Sequence, residues 1–290
     1  MNKPAKLICT LSNKQIKAQF KLLIFNGRTR CPRCGYTKIR CSENRYRCPK
    51  CRRPFSLTSG TWLKGMKLSW DKLYLLLDCW LKKMSLDLVT EYANISYPTA
   101  FEWYKRFRTN VPRKAFKMSK SSYYVIDESY FGFKKKGKRG RGAQGKEPIF
   151  GILESDSSNL ITQVVPNVDE PTLLPIIKKH IPSGSTIISD GWRAYNHLEE
   201  NGYRHIVVNH DQDEYDSRSN PIEAAWSHQK RNFKKMYHHC KMENLPDYGR
   251  EICYRFCARK NPDSPLIFLQ KSIKLVPTPL HYPLFFIFYF

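Results

Sequence analysis

The chain has 290 residues, 41% of them hydrophobic, with 50 Lys and Arg against 25 Asp and Glu, a formal net charge of +25. That length and apolar fraction suit two or three small domains with buried cores, and so positive a charge points to a polyanionic partner, nucleic acid before an acidic membrane surface. No run approaches the ~20 apolar residues of a membrane helix, no secretory leader pattern opens the chain, and no Gly-rich phosphate loop appears, so membrane-spanning, secreted and nucleotide-hydrolysing classes are not supported.

The charge is uneven. Residues 1–118 hold 26 Lys and Arg against 6 Asp and Glu, whereas residues 119–290 hold 24 against 19. The front of the chain is the expected electrostatic footprint on nucleic acid, and the back holds most of the carboxylates.

After a basic segment over 1–27, residues 28–58 contain "CPRCGYTKIRCSENRYRCPKC", Cys31 to Cys51. Two C-x-x-C knuckles are separated by thirteen residues whose alternation reads as a β-hairpin. Each knuckle aims two thiolates at one ion, so Cys31, Cys34, Cys48 and Cys51 make a four-thiolate tetrahedral zinc site with no open position, hence structural. Metal binding then supplies the folding energy that so small a core lacks. Arg33, Lys38, Arg40, Arg45, Arg47, Lys50, Arg52 and Arg53 decorate this knob.

Residues 66–112 read as three helices. "WDKLYLLLDCWLKKM" has helical apolar spacing, "SLDLVTEYA" opens on a Ser cap, and a short "NIS" turn leads into a helix from about Tyr97–Thr99 that ends in Lys105, Arg106 and Arg108. Helix, tight turn and basic amphipathic helix form a helix-turn-helix pattern, with those three cations as DNA-binding candidates. A plain three-helix bundle has the same pattern.

Residues 119–272 alternate strand and helix. The strand "YYVID" delivers Asp127 and Glu128 at its end, and a loop with Lys134, Lys135, Lys136, Lys138, Arg139 and Arg141 follows. Strands "EPIFGILE" and "LITQVVPN", a helix interrupted by Pro175, the strand "STIISD" ending at Asp190, a helix "WRAYNHLEENG" and the strand "RHIVVNH" come next. A long helix from Asn220 and a last helix over "YGREICYRFCARK" complete a mixed α/β sheet domain, and an apolar tail covers 273–290.

Asp127, Asp190 and Glu223 come from three separated places. Taken singly, the acids have ordinary explanations: Glu128 beside Asp127 faces solvent or supports the fold, Asp190 is a turn residue before Gly191, and Glu223 is a surface helix residue. Taken together with the basic front, they read as an acid cluster neutralised by divalent cations. Hard oxygen ligands suit Mg²⁺ or Mn²⁺, and a pair of such ions about 4 Å apart supports phosphodiester chemistry.

The blocks "VIDESYFGFKKKGKRGRG", "SDGWRAYNHLEENGYRHIVVNH" and "SNPIEAAWSHQKR" resemble the three motif blocks of DDE transposases, more narrowly the Merlin superfamily and its bacterial insertion-sequence relatives. The resemblance covers roughly residues 20 to 272 and includes the zinc ribbon and helix-turn-helix front. It implies an RNase H-like catalytic domain and metal-dependent DNA cutting and strand transfer, with the triad on Asp127, Asp190 and Glu223. It also implies that Lys230, seven residues after Glu223, contacts DNA phosphate, and that Asn220 and Trp226 belong to the helix-start block. Two features depart from the pattern: Arg218-Ser219-Asn220 replaces the usual His-Thr-Asn, and the acidic "DQDEYDSRS" precedes it. The implied cofactors are a structural Zn²⁺ and two Mg²⁺ or Mn²⁺. The implied partners are double-stranded DNA, both transposon ends and target, and further copies of the chain on that DNA. The expected location is the nucleus of a eukaryote or the nucleoid of a bacterium. A non-catalytic DNA-binding protein derived from a transposase, and a zinc-ribbon repair nuclease without strand transfer, are the competing readings.

Overall fold

The computed structural model describes residues 12–25, 28–42, 45–112, 123–132, 145–157, 159–208, 220–237 and 242–273. They fall into two compact units, residues 1–78 with 264–290, and residues 79–263. No helix among the described residues is long and apolar enough to cross a membrane.

The first unit opens with α1 (Asn13–Phe25), which buries Ile16, Phe20, Ile24 and Phe25 on one face. Its start is a reciprocal cap: Gln15 N–H donates to Ser12 Oγ at 3.3 Å, and Ser12 N–H donates to Gln15 Oε1 at 2.8 Å. Three short antiparallel strands follow, β1 (Arg40–Ser42), β2 (Arg45–Arg47) and β3 (Pro54–Phe55), as the hairpin reading expected. Tyr46 on β2 stacks on Phe55 at 5.2 Å and meets the edge of Phe25 at 5.8 Å, so an aromatic cluster joins the small sheet to α1. The beginning of α2 (Trp70–Leu81) is tied to α1 by Trp70 N–H donating to Asn13 Oδ1 at 2.8 Å and by the Phe20–Trp70 ring pair at 4.5 Å. The helix α8 (Pro265–Ser272), capped by Ser264, completes this unit, with Trp62 Nε1 donating to Ser272 Oγ at 3.3 Å.

The second unit takes the last turn of α2, then α3 (Leu86–Ala93) and α4 (Tyr97–Thr109). Asn94 in the left-handed conformation ends α3, and the chain re-enters a helix after Ser96. The sheet contains β4 (Tyr124–Gly132), β5 (Lys146–Glu154), β6 (Leu160–Val164), β7 (Thr186–Ser189) and β8 (Arg204–Val207), in the order β6-β5-β4-β7-β8. β4, β5 and β6 form an antiparallel meander, and β7 and β8 add in parallel on the other side of β4. That is a mixed sheet with the strand order and directions of an RNase H-like core.

Alternation along β4 sends Tyr124, Ile126 and Glu128 to one face and Val125, Asp127 and Ser129 to the other. The first face is covered by α5 (Glu170–His180), whose Leu173, Ile176 and Ile177 join Tyr124, Ile126, Phe150 and Ile152 in one apolar core. Pro175 is exposed, and α5 runs through it. The second face receives α6 (Asn220–Tyr237) over β4 and α7 (Leu245–Cys257) over β6. The expected helix after Asp190 is instead a 3-10 turn, Arg193–Tyr195, continued by three-residue turns to Gly202. Tyr195 and Leu198 are drawn into the core, and the tighter turn lets both reach it.

α4, α6 and α7 meet around a buried polar network. Glu251, fully buried, takes hydrogen bonds from Tyr237 Oη at 3.0 and 2.9 Å and from Arg255 Nε at 2.6 Å. Trp80 Nε1 donates to Tyr237 Oη at 2.9 Å, and Arg255 also donates to the Trp80 carbonyl at 2.9 Å. Removing one charge from such a pair strands the other, which costs about 3–5 kcal/mol. Glu251→Ala is therefore expected to destabilise the chain by that amount, measured by urea unfolding. A loss below about 1 kcal/mol would show that the pair is not what holds these helices together.

Candidate active site

Asp127 is the residue on which the site converges. It was expected at a strand end, but it sits inside the nine-residue β4, because the strand runs on through Gly132. The antiparallel partner β5 extends equally far, pairing Gly132 with Lys146, and keeps the backbone extended beyond the carboxylate. Asp190 follows the last residue of β7 as expected, and Glu223 lies in the first turn of α6. β4 and β7 are parallel neighbours, so Asp127 and Asp190 come from adjacent strands.

The three acids act on one charge. Burial pushes the Asp127 carboxyl up to about 6, and Asp190 and Glu223 push it further in the same direction, while the Glu128 backbone N–H and the Trp226 side chain pull it down. Asp190 is oriented by an Asx-type turn, with Trp192 N–H donating to its Oδ1 at 3.2 Å. Ser189 Oγ donates to the Asp190 carbonyl at 2.8 Å and lies 2.8 Å from His205 Nε2. Asp190 and Glu223 are near enough to act on the charge of Asp127, but among the described residues the three acids are not drawn into a metal-sized cluster as the four thiols are. Their hard oxygens are the donor type that suits Mg²⁺ or Mn²⁺.

α6 can approach Asp127 because its neighbour across the ladder has no side chain. Gly151 pairs with Asp127, and a Cβ at Gly151 would lie 2.4 Å from the Trp226 ring. The indole therefore fills the space beside Asp127, with Phe131 meeting it edge-on at 6.2 Å. The next residue in the lateral row, Thr162, donates to the Gly249 carbonyl at 2.7 Å, which brings α7 close to β6 in the same way. Gly151 has ordinary backbone angles, so nothing local marks it. A glycine inside an apolar strand run was the available signal.

Lys230 stands two turns after Glu223 on the same face of α6. Much of its side chain is open to solvent, and its ammonium lies 5.7 Å from the Phe131 ring centroid. Local desolvation lowers its pKa, Lys146 lowers it further, and Asp127 pulls it back up. A cation is thus within the field of the candidate catalytic acid. Glu128 faces the opposite side of β4, where it is buried and accepts a hydrogen bond from Tyr195 Oη. It belongs to the core beneath the site.

Lys134, Lys135, Lys136, Lys138, Arg139 and Arg141 lie outside the described residues, as do Arg218 and Ser219. On α4, Lys105 is exposed, and Arg106 is half-buried, 5.0 Å from the Trp103 ring and 3.8 Å from Glu102. Arg108 differs from expectation. It is 2% exposed, with its guanidinium 3.9 Å from the Tyr248 ring and 5.0 Å from Tyr237. Buried under those rings and drawn to Glu251, it cannot reach a phosphate. Its helical position faces α7, and that contact could not be read from α4 alone.

The four cysteines of the first unit form the tight ligand cluster, all four Sγ atoms lying within 4.8 Å of one another. Cys31 and Cys51 are 3.7 Å apart and Cys34 and Cys48 3.5 Å apart. A tetrahedral zinc with Zn–S bonds of about 2.3 Å would hold its thiolates about 3.8 Å apart, so the set could hold zinc. The two knuckles fold alike. In each, the first cysteine's N–H donates to the carbonyl five residues on, Cys31 to Tyr36 at 2.8 Å and Cys48 to Arg53 at 3.1 Å. In each, the residue after the second cysteine is left-handed, Gly35 at φ 71° and Arg52 at φ 58°. The eight basic side chains of this knob are all exposed.

Residues 125–257 match the family described as the ISXO2-like transposase domain, from the second residue of β4 to the end of α7. An uncharacterized transposase-like protein of Haemophilus influenzae is 33% identical over 97 residues, 33% of this chain and 78% of the relative. Among solved structures, a chain of the simian T-cell lymphotropic virus intasome in complex with PP2A regulatory subunit B56 gamma is 14% identical, covering 72% of this chain and 79% of its own, with a TM-score of 0.33. The catalytic core domain of BIV integrase is also 14% identical, covering 52% and 95%, with a TM-score of 0.32.

Two outcomes follow from this geometry. The Asp127 carboxyl is raised to about 6 in the folded chain, against about 3.9 in an unfolded one, so between those values the folded state holds the extra proton. Without divalent cations, stability should fall as pH rises through that window, and Asp127→Asn should remove that part of the slope. Thermal unfolding from about pH 4 to pH 7 reads it, and an unchanged slope in the variant would place Asp127 outside a charge-repelling cluster. For the thiols, Cys31→Ser or Cys48→Ser should lower bound zinc, measured by atomic emission, and unfold the knob, because apparent zinc-binding free energies in such sites are of order 10 kcal/mol. A folded knob with less than about half an equivalent of zinc in the parent protein would overturn the structural role.

Proposed function

This chain belongs to the ISXO2-like transposase family, and on that premise we propose that it is a DDE transposase that binds transposon ends and performs metal-dependent strand cleavage and strand transfer. What supports the reading is that β4, β7 and the first turn of α6 bring Asp190 and Glu223 within electrostatic reach of the half-buried Asp127 carboxyl, with Lys230 in the same field. Within the family, the order of the three motif blocks supports the narrower likeness to the Merlin superfamily.

Asp127, Asp190 and Glu223 would hold the divalent cations. Bound there, such ions supply Lewis-acid stabilisation of both the attacking and the leaving oxygen of a phosphodiester. The chain's own residues do the rest. Trp226, with Phe131 against its edge, fixes the distance of α6 from the sheet beside Asp127. The Lys230 ammonium would bind a phosphate oxygen next to the scissile one and orient it. Glu128 and Tyr195 brace β4 from beneath, so Asp127 keeps its place as charge develops.

DNA affinity would come chiefly from the front of the chain. The exposed cations of the four-cysteine knob and α1 face solvent without a matching number of acids. Lys105 and Arg106 on α4 would add phosphate contacts, and the cations over 134–141 would grip DNA flanking the cut. Holding both transposon ends at once would call for further copies of the chain on the DNA.

The test is a labelled duplex carrying the element end, incubated with Mg²⁺ or Mn²⁺ and scored for nicking and for joining into plasmid. Asp127→Asn, Asp190→Asn and Glu223→Gln should each lower both by at least about 100-fold while end binding and thermal stability stay close to the parent, because an amide keeps the shape and removes the charge. Full activity in any one variant removes that residue from the site. End binding by a parent protein that neither nicks nor joins would identify a non-catalytic DNA-binding protein.

A further inference from the structure

α6 carries two stripes. Glu223, Trp226 and Lys230 face Asp127, while Pro221, Ala224 and His228, at the same helical spacing, line a cavity of about 840 Å³ on the other side. The rest of its wall comes from the turn after α2, the end of α7 and the segment that follows it, all within the second unit. The cavity is separate from the carboxylate cluster, and α6 stands between the two.

Its lining is cationic over an apolar floor. Lys82, Lys83, His228 and Arg259 contribute positive or protonatable groups, and Leu81, Ala224 and Pro262 contribute apolar surface. Arg255 also lines it, paired with Glu251. Among the described lining residues the carboxylate is Asp263, which accepts a hydrogen bond from Tyr254 Oη at 3.0 Å. The Arg259 guanidinium carbon lies 3.7 Å from the Phe256 ring centroid, and its Nη1 donates to the Phe256 carbonyl at 2.8 Å. Lys83 is held in the left-handed conformation at φ 59° by the turn that closes α2. Beyond the cavity, Arg231 and Lys235 extend the His228 stripe along exposed α6. These groups feel one another. Burial lowers the pKa of His228, with Lys83 and Arg231 adding to it, and burial lowers that of Lys83, with Arg255 and Lys235 adding to it. An anion placed among them would relieve that repulsion.

The dimensions select the anion. Clefts that enclose one small ligand run to about 300–1,000 Å³. This one takes a nucleotide or two of an unpaired strand and has no room for a duplex. Bases set free of stacking can lie on apolar and guanidinium–aromatic surface while their phosphates meet the cations. We propose that this groove binds an unpaired DNA strand, with phosphate on Lys83, His228 and Arg259 and base against the Ala224–Pro262 wall. The inference rests on the transposase reading, since DNA cut at the carboxylates on one face of α6 would send a freed strand round to the other.

The test uses the full chain with zinc and without divalent cation, and fluorescence anisotropy of a labelled oligothymidylate and of a duplex of equal length. Lys83→Glu with His228→Glu should weaken oligothymidylate binding about 10-fold or more and duplex binding less than about 2-fold, since the duplex is held by cations elsewhere. Lys83→Gln with His228→Gln, which adds no negative charge, should shift binding in the same direction by less, and unchanged thermal unfolding guards against misfolding. Equal losses on both ligands, or no loss on either, overturn the groove. End nicking by the parent protein separates the two ideas. A contrast without nicking keeps the groove and removes the strand-cleavage reading, whereas nicking without the contrast does the reverse.

Discussion

The close approach of α6 to the sheet at Gly151 is the constraint on which the candidate site depends. Trp226 occupies the volume that any side chain at that position would need, 2.4 Å from where a Cβ would stand. One helical turn earlier on the same face, Glu223 is thereby brought over β4 and into the field of Asp127. Lys230 follows from the same rigid helix. A carboxylate, a second carboxylate from another element and a cation are thus set relative to one another by a missing methyl group. Packing interiors are dense enough that a single carbon decides whether such a helix seats.

The network around Glu251 extends that constraint. α6 enters it through Tyr237, α7 through Glu251 and Arg255, and α4 through Arg108 lying on Tyr237 and Tyr248. The Phe131–Phe233–Tyr248 ring contacts continue it back to β4. A buried charge pair of this kind adds little net stability, but it penalises any arrangement in which one partner is missing. Its effect is therefore to specify one register of α4, α6 and α7. The second half of the helix-turn-helix pattern is in consequence an integral part of the sheet-containing unit, and its arginine is spent on that contact.

The first unit follows a different logic. Its three strands have two or three residues each, and its aromatic cluster is small. Such a core cannot hold itself together by apolar burial alone, and four thiols placed for one ion are the remaining source of order. The capped helix α1 adds Phe25 to the Tyr46 cluster, so part of the basic segment becomes the missing wall of the knob.

Much was legible in the sequence because it is local. The four cysteines announce themselves by spacing, α6 and α4 by apolar period and caps, and the strands that carry Asp127 and Asp190 by β-branched runs. The reciprocal cap at Ser12–Gln15 was equally local, and it marks α1, which charge alone had left as a basic segment. What the tertiary structure decided is of another kind. Whether Asp127 ends a strand depends on how far β5 pairs with β4. Whether Arg108 meets solvent depends on α7, and whether Tyr195 and Leu198 close a helix or a turn depends on the core they must reach. The need for glycine at position 151 exists only once Trp226 is above it. Caps, periods and ligand spacings are set by neighbours along the chain, whereas burial and close approach are set by residues far from it in sequence, and no single segment contains them.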